Sequence, residues 1–94
     1  MPNFKPIIRL SDIPVVFTTE EKEHIAIAII HFGSDDHPMP ESKNVGSFSV
    51  FYIIDCVREY FNNPRVRNDE RDETMLKILD EIKNAHSAYK EGTK

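Results

Sequence analysis

"TTEEKEHIAIAIIHFG", residues 18 to 33, is the stretch on which the fold class turns. Its middle alternates isoleucine with alanine in "HIAIAII", the period-two pattern of a half-buried strand. Its opening is that of a helix: Thr18 can cap, Glu21 three residues later completes a capping box, and Glu20 and Glu21 lie at the positive end of the helix dipole. Strands disfavour alanine, and Ile25, Ile29 and Phe32 share one helical face, flanked by Ala26 and Ile30. The stretch reads as a helix that ends at Gly33, a natural C′ residue.

Working outward, the sequence beyond this helix is helical again. "NDERDE" opens the clearest element, with Asn68 or Asp69 as cap and acids in the first turn, and it runs to about Lys90. Met75, Ile78, Ile82, Ala85 and Tyr89 recur at alternating spacings of three and four, a heptad seam that Leu76 and Leu79 widen. Glu73 and Lys77 are spaced for an i,i+4 ion pair on the outer face. Between the two, a helix from about Ser47 to Asn62 stops at "NNP", where Pro64 cannot continue it. Val50, Ile54, Val57 and Phe61 form its stripe, and Phe48, Phe51, Tyr52, Ile53, Cys56 and Tyr60 make its first half apolar nearly all round. Such a helix is wrapped on every side, either as core or as an oligomer interface or ligand groove.

The N-terminal stretch, residues 1 to 17, is too broken by Pro2, Pro6 and Pro14 for a helix and too apolar to float free. It reads as an extended arm packed on the helical domain of residues 18 to 94. A short strand at Pro6 to Leu10 would have to find its partner across an oligomer interface. The expectation is an all-α fold: a compact three-helix protomer, made of a long helical hairpin plus a shorter N-terminal helix, with an extended N-terminal arm, oligomeric.

The totals bound the function. Ninety-four residues make one domain with a thin stability margin. The formal charge is −4, with 16 acids against 12 Lys and Arg, so there is no broad basic footprint for duplex DNA or RNA. An acidic third helix would repel phosphates in a helix-turn-helix. A single cysteine, Cys56, gives no disulfide framework and suits a reducing compartment. No apolar run approaches the ~18 residues of a membrane span and the N-terminus is no signal peptide, which predicts a soluble cytoplasmic protein.

"HFGSDDHPMPE", residues 31 to 41, concentrates the polar chemistry. His31, Asp35, Asp36 and His37 are metal-ligand types without a metal-binding spacing, and Gly33, Ser34, Asp35, Asp36 and Pro38 are turn formers. Cys56 in an apolar run lacks the surroundings of an activated thiolate, and there is no Gly-rich phosphate loop. The reading is therefore a non-enzyme with no cofactor and no metal.

The same loop and the last helix resemble a family. "HFGSDDHPMPE" is similar to the Asn-His-Phe or Asn-Arg-Phe segment followed by His-Pro-Pro in the phage anti-CBASS cyclic-oligonucleotide sponges, which share a helical hairpin with one anti-Thoeris type. "KILDEIKNAHSAY", residues 77 to 89, looks like that family's closing helix, with Lys77, Ile78, Asp80, Ala85, His86, Ser87 and Ala88 on the matching positions. The resemblance covers roughly residues 30 to 89; Ile30 stands where the family has Asn, and Ser34 and Asp35 stand where an aromatic commonly precedes the His-Pro pair. It implies a homo-oligomer, a hexamer, whose pockets between protomers sequester cyclic dinucleotides such as cGAMP, or cyclic trinucleotides, without chemistry. On that reading Phe32 and His37, with His31, stack on bases or meet their edges, Ser34 donates a hydrogen bond, and Lys43 contacts phosphate. The alternative is a small acidic protein that inhibits a host protein by direct contact.

Overall fold

The capping box at Thr18 forms as the sequence asks. The Glu21 N–H donates to Thr18 Oγ1 at 3.1 Å, and the Thr18 N–H donates to Glu21 Oε1 at 2.8 Å. Helix α1 follows as Thr19–Phe32, so the isoleucine–alanine alternation belongs to a helix. In this computed structural model, residues 8–34 and 38–92 are described, with side chains through residue 88. Helix α2 is Val50–Phe61 and helix α3 is Asp69–Gly92. Among the described residues the architecture is all-helical and there is no strand, only one isolated bridge.

Asn68 caps α3 through its side chain, which accepts the Arg71 N–H at 2.8 Å. With 24 residues, α3 is about 36 Å long and sets the 43 Å long axis of the molecule. The shortest helix is α2, at 12 residues against 14 for α1, so the N-terminal helix is not the shorter one. Helix α2 also starts later than the sequence pattern suggests. Residues Val45–Ser47 form a tight 3-10 turn, and Phe48 leaves it in extended backbone before the helix begins. That extended step is used by the N-terminal segment: Leu10 N–H donates to Phe48 O, and Val50 N–H donates to Ile8 O, an antiparallel bridge of Arg9 with Ser49. The pairing expected across an oligomer interface is made inside one chain.

One core unites these parts. Ile25, Ala28 and Ile29 of α1, Val50, Ile53 and Val57 of α2, and Met75, Ile78 and Ile82 of α3 are all buried. Leu10, Ile13 and Phe17 of the N-terminal segment close it from the side. At ~25 cal/mol per Å² of buried apolar surface, each such side chain contributes roughly 1.5–3 kcal/mol before entropy is set against it. The heptad seam of α3 holds for Met75, Ile78, Ile82 and Ala85; the side chain of Tyr89 lies outside the described residues, and Leu76 faces outward while Leu79 is half-buried. On α1, Ile30 likewise faces out.

Helix α2 needs no second chain to cover most of its wall. Val50, Ile53, Ile54, Cys56, Val57 and Tyr60 are buried within the protomer, and Tyr52 and Phe61 pack against the core. The large apolar side chain that α2 leaves exposed is Phe51, at 56%. The expectation that α2 has more apolar surface than one protomer can wrap is corrected to that one residue.

The turn from α2 to α3 is tied down by polar contacts. Tyr60 is buried and its hydroxyl donates to Asp72 Oδ1 at 2.7 Å. Arg67 donates to Asp72 Oδ2 at 3.0 Å and to the Phe61 carbonyl at 3.1 Å, with its guanidinium 5.3 Å from the Phe61 ring centre. The Arg67 bond, and then the Tyr60 bond, hold the Asp72 carboxyl below its ordinary range. Lys77 does not take the expected i,i+4 partner Glu73; its Nζ reaches Glu21 at 3.4 Å, linking the start of α1 to α3.

Candidate functional site

The end of α1 is where the sequence places its ligand-facing residues. His31 is exposed and Phe32 is half-buried against the core, with ring centres 6.1 Å apart and planes inclined at 52°. Gly33 follows with φ −89° and ψ 176°, extended backbone open to any residue, so a left-handed cap is not its reason for being glycine. The reason is space. A Cβ on residue 33 would fall on the hydroxyl of Tyr52 and 2.6 Å from the Ile29 carbonyl oxygen.

Tyr52 organises this elbow from α2. Its hydroxyl oxygen accepts the Ser34 N–H at 2.7 Å and lies 3.4 Å from Ser34 Oγ. Its ring stacks on buried Phe48, 6.2 Å between centres and 10° between planes. Sequence reading finds His31, Phe32 and Ser34 but takes Tyr52 only as part of an apolar wall. No local signal marks it, because its partners are 18 and 19 residues upstream. His37, with Asp35 and Asp36, lies outside the described residues.

Lys43 is not brought to the elbow. It lines a hollow of about 280 Å³ together with Lys22, Ser42 and the N-terminal segment around Val15, Val16 and Phe17. Lys22 and His31 stand nine residues apart on α1, about 14 Å along its axis, so the hollow and the elbow lie toward opposite ends of that helix. The Lys43 side chain is 79% exposed, with Glu41 Oε2 at 3.9 Å as a loose partner. A more polar hollow of about 270 Å³ lies between the first turns of α1 and α3, lined by Glu20, His24, Asn68, Glu70, Arg71 and Thr74. There His24 Nδ1 is 2.9 Å from the Glu20 carbonyl oxygen.

The remaining chemistry-bearing groups are separate. Cys56 is buried, and burial first, then the nearby carboxylates of Asp55 and Glu59, push its thiol up to about 11. That is the reverse of what a nucleophilic thiolate needs. His86 sits edge-on to Phe51 at 5.0 Å between ring centres, with its Nε2 buried and without a hydrogen-bond partner. Among the described residues no three His, Cys, Asp or Glu side chains gather in a way that could hold a metal ion. No helix of the described residues is long and apolar enough to cross a membrane.

What the elbow can do is present one exposed imidazole and a neighbouring phenyl edge, with a hydroxyl and a tyrosine beside them. An exposed imidazole beside an aromatic ring can stack on a planar group. Comparison of the chain with protein-family models, with curated proteins and with solved structures gives no match.

Proposed function

We propose that the protein is a non-enzymatic sponge that binds and sequesters cyclic oligonucleotide immune messengers, cyclic di- or trinucleotides, in the cytoplasm of a phage-infected cell, blocking CBASS-type signalling. The observation that supports this reading is the aromatic pair His31 and Phe32, followed by the Gly33 and Ser34 backbone on which the Tyr52 hydroxyl packs. A base stacked on such a ring gains roughly 1–3 kcal/mol, and every base offers a face. In this reading His31 and Phe32 stack, Ser34 donates, and His37, outside the described residues, is a further stacking or base-edge group. Lys43, which lines the hollow beside the N-terminal segment, is the phosphate contact of this reading. Assembly into a homo-oligomer, a hexamer in the family that the sequence resembles, would enclose the ligand between protomers and cover the exposed Phe51.

Isothermal titration with 3′,3′-linked cyclic dinucleotides and with a cyclic trinucleotide is the decisive experiment. Binding that weakens tenfold or more in His31→Ala, and release of intact messenger after heating, are expected. No heat with any of these ligands sinks the proposal, and chemical loss of the messenger overturns its non-enzymatic part.

A second reading is favoured by one observation. Phe51 projects into solvent beside His86 on an acidic chain of formal charge −4. An aromatic anchor of this kind is what a protein partner buries at the centre of an interface. On that reading the protein inhibits a host protein by direct contact, and Phe51→Ser abolishes its capture while His31→Ala does not.

A further inference from the structure

The hollow beside the N-terminal segment differs from the rest of the surface in sign. The chain carries 16 acids against 12 Lys and Arg, yet the described residues lining this hollow include Lys22 and Lys43 and not one carboxylate. Among the described residues Lys22 makes no ion pair, and the one ion pair of Lys43 is with Glu41, at 3.9 Å. Ser11 and Ser42 add two hydroxyls to the lining. The rest is apolar, from Leu10, Val15, Val16, Phe17 and Val45. Val16 is 94% exposed, a branched aliphatic side chain left in water at the edge of a concavity. The lining thus combines two lysines and two serines with five apolar side chains. At about 280 Å³ the space lies at the small end of ligand sites, which run from ~300 to 1,000 Å³.

From this we propose that the hollow is a binding site for a compact amphipathic anion, a phosphate or carboxylate head carried on a small aryl or alkyl group. The head lies between the ammonium groups of Lys22 and Lys43, and the apolar part covers Val16 and rests on Val15 and Phe17. Two ammonium groups converging on one anion are stronger than either alone, because the second acts at the distance that the first has already fixed. Neither half suffices. An inorganic anion would leave the apolar wall wet, and a neutral aromatic would make no use of the two lysines. No elbow residue lines the site, which shares only Lys43 with the cyclic-oligonucleotide reading.

The full chain, labelled with nitrogen-15, is titrated with phenyl phosphate, benzoate, inorganic phosphate and phenol, and amide shifts are followed. Saturable shifts are expected at Ser11, Val16, Lys22, Lys43 and Gly46 with phenyl phosphate or benzoate, and the ratio of the two affinities assigns the head. Inorganic phosphate and phenol should bind at least tenfold more weakly. The double variant Lys22→Met, Lys43→Met and the single variant Val16→Ser, all at side chains outside the core, should each weaken binding several-fold with unchanged circular dichroism. His31→Ala should bind as the wild type does. The proposal is overturned by an absence of saturable shifts with both organic anions, by inorganic phosphate binding as tightly as they do, or by undiminished binding in the lysine double variant. A loss of binding in His31→Ala would overturn it too, by moving the site to the elbow.

Discussion

The hydroxyl of Tyr52 occupies the place that a side chain on residue 33 would need, and it accepts the next backbone N–H, from Ser34, at 2.7 Å. The exit angle of the chain from α1 is thus set by a residue of α2. Gly33→Ala should cost about 1–3 kcal/mol through overpacking rather than backbone strain, because the φ of −89° suits alanine. Tyr52→Phe should cost about 1 kcal/mol through the lost hydrogen bond. Since the two changes act on one contact, the double variant should be more stable than the sum of the singles allows, by 0.5 kcal/mol or more. Urea midpoints of the four proteins measure this directly, and additivity within error would show that the contact does not set the turn.

Acid stability should depend on two carboxylates. Glu21 is held below its ordinary value of 4.5, chiefly by the Thr18 N–H and with help from Lys77 against the opposing effect of burial. Asp72 is held below 3.8, first by Arg67 and then by Tyr60. A carboxyl whose folded-state pKa is lowered adds stability that is complete above its ordinary value and is lost as pH falls through the lowered one. Stability should therefore stay level from neutral pH to about 5 and fall from about 4.5 downward. Glu21→Gln and Asp72→Asn should each lower stability at pH 7 and flatten that acid limb, which chemical denaturation at pH 7, 4.5 and 3 would reveal. Acid limbs of unchanged slope in both variants would refute the assignment.

The cap itself is a separate handle. Thr18→Ala removes the side-chain acceptor for the Glu21 N–H and should cost about 1 kcal/mol, seen as a drop of roughly 4–8 °C in Tm for a domain of this size. Thr18→Ser, which keeps the acceptor, should restore most of the loss. Equal losses in both variants would place the effect elsewhere.

Cys56 should be silent to thiol reagents in the native state. With its thiol pushed from 9.0 up to about 11, almost none is ionised at pH 8, and burial bars access as well. Because a raised pKa favours the neutral thiol of the fold, the associated stability is complete below pH 9 and is lost as pH rises toward about 11. Ellman's reagent at pH 8 should react only in denaturant; a stoichiometric reaction without denaturant would contradict the buried placement.

These contacts also show what was legible in the chain and what was not. Thr18 with Glu21, and Asn68 with Arg71, are three residues apart, so local backbone chemistry specifies them and the starts of α1 and α3 read off correctly. The seam of α3 was legible for the same reason, since one period governs it. The start of α2 was missed because Phe48 and Ser49 are held extended where the chain pairs with residues 8 to 10, some forty positions away. Lys77 passed over its near partner Glu73 for Glu21, 56 positions distant in sequence, which helix spacing cannot foresee. At the elbow, the presence of His31, Phe32 and Ser34 was readable from turn-forming residues, whereas the buttress of Tyr52 depended on how α2 packs. Lys43 was named from the family resemblance, and that it lines one hollow with Lys22 depends on packing between distant segments.

The bridge between Arg9 and Ser49 has a consequence for how the molecule comes into being. Leu10, Ile13 and Phe17 are made before α2, and the backbone that pairs with their segment, Phe48 to Val50, follows about forty residues later. Closing a loop of that length costs entropy that only the assembled helical core can offset. During synthesis these apolar side chains therefore wait for their backbone partner until α2 has left the ribosome. A segment made before the helices finds its place only after them.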